Sequence, residues 1–143
     1  MMSNHPTDVW NLIAAVVAQV PLTSGKLSDL FHVDISSGSG RRTAGPVRLG
    51  SALLIDEIGT ASRPDGDWIF SYFDIGAPSS IGLDELKSHY PDVTRTTVPS
   101  GHSPEEKFVW TSKEPWGVLN FGFRERDYRL TTVSLHSPGD WNY

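Results

Sequence analysis

The chain has 143 residues, a formal net charge of −5 and no cysteine, with an isoelectric point near 5.4. That length suits one domain able to bury a core without covalent staples, and the lack of cysteine excludes disulfides, thiolate zinc sites and a cysteine nucleophile. The acidic balance, with no Lys/Arg cluster longer than Arg41-Arg42, opposes binding to a phosphate backbone and favours attraction of a basic protein partner.

Thr7 and Asp8 are helix-starting residues, and Val9, Ile13, Val16, Val17 and Val20 follow at helical spacing until Pro21 forbids continuation. The apolar run from Trp10 to Val20 has eleven residues and no Lys or Arg before it. A bilayer span takes about 20, so we read an amphipathic helix over residues 8–20 of a cytoplasmic protein rather than a secretory or membrane segment. Residues 26–35 fit two patterns: Leu27, Leu30 and Phe31 suit a helical turn, whereas Phe31, Val33 and Ile35 alternate as in a strand. The strand is the favoured reading. Residues 36–46 carry almost no apolar side chain and read as a mobile loop.

Leu49 to Gly59 reads as a short Gly-led helix. Asp65-Gly66 is a hairpin signal ahead of a strand from Trp68 to Ile75, and a second short helix is expected from Ile81 to Pro91. Two shorter strands follow, Val93–Val98 and Lys107–Thr111. A closing hairpin then joins Val118–Arg124 to Leu130–His136 through the polar turn 125–128. In that hairpin Leu119, Phe121 and Phe123 share one face, and Val133 and Leu135 oppose them. The expected fold is therefore one α+β domain over residues 1–143, with an antiparallel sheet of four to six strands, an N-terminal helix and two short helices. The succession of short helix and aromatic strand from 49 to 75, and again from 81 to 123, is a candidate internal repeat.

Catalytic signals are short. His32-Val33-Asp34 would set two potential metal ligands on one strand face, and a solvated polar face explains it equally well. Asp65-Gly66-Asp67 resembles the start of a calcium loop without its later ligands. Gly50-Ser51-Ala52 fails the nucleophile-elbow spacing, and Gly38-Ser39-Gly40 lacks the lysine of a phosphate loop. Asp74 with Glu105 or Glu106 would form a glycosidase-like pair only at the right separation. Asp56/Glu57 and Asp84/Glu85 suit solvated helix starts. On these grounds the sequence assigns no catalytic residue, no cofactor and no metal ligand, and we expect a protein that is not an enzyme.

The aromatic residues carry more. Trp68, Phe70 and Tyr72 alternate with Ile69, Ser71 and Phe73, so both faces of that strand bear large groups, as in a central strand with helices on one side and a binding surface on the other. Aromatic residues next to carboxylates are the composition of interface hot spots. The candidate partner-binding residues are Asp65, Asp67, Tyr72, Asp74, Trp110 and Trp116.

At Leu49-Gly50-Ser51 to Gly59, at Ile81-Gly82-Leu83 to Pro91 and at Trp116-Gly117-Val118-Leu119-Asn120-Phe121-Gly122-Phe123, the chain resembles small bacterial proteins built of tandem helix-plus-sheet modules. That architecture is shared by beta-lactamase inhibitory protein and the small outer-membrane assembly lipoprotein. The resemblance implies a scaffold whose sheet face grips another protein, and among acidic cytoplasmic proteins of this size it points to an immunity protein that neutralises a cognate toxin. The alternatives are a small enzyme or ligand-binding domain with a cavity between helices and sheet, His32 and Asp34 at its mouth, and a secretion chaperone that binds through apolar surface. The oligomeric state stays open.

Overall fold

A computed structural model describes residues 8–36, 38, 40–49, 53–76, 81–97 and 107–138. It is an α+β structure, with three helices packed on an antiparallel sheet of eight strands among these residues. No helix among them is long and apolar enough to cross a membrane.

Helix α1 (Val9–Val17) starts where expected: the Asp8 carboxylate caps it by accepting from the Asn11 N–H at 2.8 Å, and Val9, Leu12, Ile13 and Val16 form its buried stripe. The expected strand at 31–35 is corrected by α2 (Ser24–Phe31). Thr23 caps this helix through the Lys26 N–H at 3.1 Å, while Leu27 and Phe31, four apart, are buried side by side. His32 then turns left-handed at φ 55° and stops the helix. His32 and Asp34 therefore do not share a strand face. Lys26 fastens the α1–α2 connection by donating from Nζ to the carbonyls of Gln19 and Pro21 at 2.9 and 2.8 Å.

The strands are β1 (Gly40–Ala44), β2 (Val47–Leu49), β3 (Leu53–Ser62), β4 (Trp68–Ile75), β5 (Thr94–Thr97), β6 (Lys107–Glu114), β7 (Gly117–Arg124) and β8 (Leu130–His136), with α3 (Leu83–His89) between β4 and β5. Their order is β1-β3-β4-β8-β7-β6-β5, and β2 follows β1 along the same edge of β3. Four to six strands was an undercount because the region from 40 to 62 was misread. Residues 40–44 pair with β3 despite their polarity, since an edge strand needs only backbone partners on one side.

The expected helix from Leu49 to Gly59 is the ten-residue β3. The register shifts between Ile55 and Glu57, so Asp56 is an extra residue in the pairing with β4. Leu53, Ile55 and Ile58 are all buried, at spacings of two and then three. A bulged strand thus carries apolar positions that mimic a helical turn. The second segment does form a helix, α3, so the two parts of the candidate repeat fold differently.

Strand β4 is the third of seven columns, a central strand as its composition suggested. The closing hairpin also has the expected register, Leu119 opposite Leu135 and Phe121 opposite Val133. In its turn, Arg124 binds Asp127 through two hydrogen bonds of 3.1 and 2.7 Å and holds that carboxyl below its ordinary range. One core joins the helices to the inner sheet face. Phe31 of α2 packs against Phe73, and Tyr90 at the end of α3 against Phe121, with ring centroids 5.9 and 5.2 Å apart. Trp10 of α1 stacks on His89 at 4.1 Å and donates to the Glu85 carboxylate at 2.7 Å, which ties α1 to α3. The three helices are therefore linked to one side of the sheet.

Candidate functional site

The alternation of strand residues decides what the other side presents. Pairings Gly59–Tyr72–Ser134–Asn120–Thr111 and Glu57–Asp74–Thr132 place these residues in two rows across the outer face. A third row contains Ala61, Phe70 and His136. Phe70, Tyr72, Asp74, Asn120, Thr132, Ser134 and His136 are all partly exposed.

Tyr72 is the centre of this face. Its hydroxyl donates to the Glu57 carboxylate and accepts from Arg41 Nη2 at 2.6 Å, and Arg41 lies 3.6 Å from Glu57. Gly59 makes the arrangement possible: a Cβ there would enter the Tyr72 ring. Glu57 and Asp74 sit directly opposite one another, a like-charge pairing that is unfavourable by itself. Arg41 and Tyr72 offset the first charge, and Thr132 Oγ1 donates to Asp74 at 3.1 Å. Burial raises the Tyr72 phenol above its ordinary value near 10, the hydrogen bond to Glu57 adds to this, and the bond from Arg41 opposes it. Phe70 stacks between Tyr72 and His136, with centroids 6.3 and 5.7 Å away. A line of hydroxyls and one amide continues the face: Thr96 Oγ1 lies 2.8 Å from Thr111 Oγ1, which donates to Asn120 Oδ1 at 2.7 Å.

The second feature is a cavity of about 490 Å³ at one end of the sheet. The α1–α2 connection supplies Val20 and Pro21, the β3–β4 hairpin Arg63, Asp67 and Trp68, the β6–β7 turn Trp116, and the end of β8 Ser137 and Pro138. The two indoles lie 6.3 Å apart at 44°. Pairing of β3 with β4 skips Ile69. Trp68 is buried, and its Nε1 donates at 2.9 Å to Ser71 Oγ, itself 2.7 Å from Thr60 Oγ1. The Trp116 Nε1 is shielded from solvent with no acceptor among the described residues.

The six candidate residues therefore separate into three places. Tyr72 and Asp74 share the outer face. Asp65, Asp67 and Trp116 lie at the cavity end: Asp65 and Asp67 are exposed, and the Asp65 carboxylate accepts from the Asp67 N–H at 3.0 Å to shape the hairpin turn. Trp110 is at neither place. It pairs with Phe121 on the inner side, donates to the Tyr128 hydroxyl at 2.7 Å and lies under the Lys87 ammonium at 5.1 Å, a packing role rather than a surface one. Asp56 and Glu57 belong to a strand, which corrects their reading as a helix start.

Arg41, Glu57, Gly59, Arg63 and His136 were missed. Three of them lie in segments misread as loop or helix, so no alternation was sought there. Glu105, Glu106, Gly50 and Ser51 lie outside the described residues. Among the described residues no group of three or more His, Asp or Glu could hold a metal ion. Comparison with family models, with curated proteins and with solved structures finds no match.

Proposed function

We propose that the chain is a protein-binding inhibitor of the immunity kind, which neutralises a cognate bacterial toxin in the cytoplasm by direct binding. The observation that supports this reading is the outer sheet face: a rigid surface with Phe70, Tyr72 and His136 in contact and a fixed Arg41–Tyr72–Glu57 network beside Asp74. Held aromatic side chains lose little entropy on binding, and groups already oriented need no rearrangement. Charge supplies the partner's chemistry. A net −5 chain with Asp65 and Asp67 exposed at one end attracts a basic protein and speeds its encounter.

The test has two stages. The tagged chain is used to capture its partner, and the captured protein is then expressed alone and with the chain to measure growth. Toxicity relieved by the wild-type chain, and not by Tyr72→Ala combined with Asp74→Lys, is the expected result. A captured protein without toxicity refutes the immunity reading, and full protection by the double variant refutes the assignment to this face.

A further inference from the structure

The cavity end carries a separate chemistry. Arg63 and Asp67 face each other across the β3–β4 turn, where the Arg63 N–H donates to the Asp67 carbonyl at 2.8 Å. Residues paired in this way across a hairpin have side chains on the same face. Both line the cavity, yet neither the guanidinium nor the carboxylate has a side-chain partner among the described residues. One wall thus presents a cation and an anion that do not neutralise each other. Behind them are two indoles, Val20 and two prolines, and one indole N–H that lacks an acceptor.

We propose that this cavity binds a small zwitterion with an apolar, ring-sized body, the chemical class of a free aromatic α-amino acid. A simple anion would meet Arg63 but be repelled by Asp67, and a simple cation the reverse; a molecule carrying both charges satisfies each. Its carboxylate takes the Arg63 guanidinium, whose paired N–H groups match two carboxylate oxygens, and accepts from the Trp116 N–H. Its ammonium meets Asp67 and the electron-rich indole faces. Its ring fills the space between Trp68, Trp116, Val20 and Pro21. A volume of about 490 Å³ lies within the size of small-molecule sites and above that of a single side chain. This inference is independent of the outer-face reading, since Tyr72, Phe70 and Asp74 take no part in the cavity.

The test titrates the purified full chain, ¹⁵N-labelled, with L-phenylalanine, with phenethylamine, which lacks the carboxylate, and with 3-phenylpropanoate, which lacks the ammonium. The indole N–H signals and calorimetry are the readouts. L-Phenylalanine is expected to shift the Trp116 N–H signal and to bind about tenfold more tightly than either analogue, the size of effect of one charged hydrogen-bonded contact. Arg63→Gln is expected to remove the preference over phenethylamine, and Asp67→Asn the preference over 3-phenylpropanoate. Both residues are exposed, so neither change threatens the fold, and a thermal melt of each variant verifies this. No indole shift at about 10 mM ligand, a level at which even weak sites fill, overturns the proposal. So do equal affinities for the three probes, unchanged selectivity in the two variants, or equal binding of N-acetyl-phenylalanine amide, which would mark a site for a peptide chain instead.

Discussion

The ring of Tyr72 occupies the space in which a side chain on Gly59 would begin. Both residues lie on the outer face, directly paired between β3 and β4, and an aromatic ring laid over a cross-strand glycine restores packing that glycine cannot supply. Gly59→Ala therefore forces the ring away and breaks its bonds to Glu57 and Arg41. We expect a loss of about 1–3 kcal/mol, the usual cost of an added methyl in a filled space, measured by urea unfolding. In a Tyr72→Ala background the same substitution is expected to cost far less, because the clash has no second partner.

The same phenol predicts a pH effect. Its folded value is raised by burial and by Glu57, while in the unfolded chain it titrates near 10. From about pH 10 upward the unfolded state loses this proton first, so stability is present below that value and declines as pH rises toward the folded value. Melting temperatures between about pH 8 and 11 should fall less steeply for Tyr72→Phe than for the wild type. Ultraviolet titration should show one phenol fewer with a raised value.

Inside the sheet, Ser71 is the shared partner of Trp68 and Thr60. All three are buried, so Ser71→Ala leaves an indole N–H without its acceptor and deprives the Thr60 hydroxyl of one contact. The expected cost is about 1–3 kcal/mol, that of an unsatisfied buried polar group, read by denaturant unfolding. Because Trp68 also lines the cavity, its fluorescence is expected to shift in the folded variant.

How far the sequence was legible follows from where its pattern and its environment agree. The β7–β8 hairpin alternates strictly, and its register was read correctly to the residue. Helix α1 has a cap and a stripe in agreement and was also found. By contrast, α2 and the alternation of 31–35 overlap, and only the αL turn at His32 separates them. An isolated histidine does not announce that geometry. Strand β1 has no apolar pattern because its stability comes from pairing with β3, a contact invisible in local composition. Of the site, Tyr72 and Asp74 were found from the aromatic alternation of β4. Their partners Arg41 and Glu57 were not, because they come from those misread strands.

Trp110 provides a contrast between packing and recognition. It is held by Tyr128 and covered by Lys87, so Trp110→Ala is expected to destabilise the fold by roughly 2–4 kcal/mol, as large aromatic truncations do, while any partner bound at the outer face keeps its dissociation rate in the folded fraction. Tyr72→Ala should raise that dissociation rate about tenfold or more, the effect of losing one hot-spot ring. Surface plasmon resonance separates the two.

Strand β3 works as two phases of a period-two code, and Asp56 is the one-residue spacer between them. Its deletion would shift the frame downstream: Ile58 and Thr60 would exchange sides with Glu57 and Gly59, or the pairing would have to slide along β4. The identity of the outer face therefore depends on a count of residues as much as on their chemistry, and substitutions at Asp56 should be tolerated where a single-residue deletion is not.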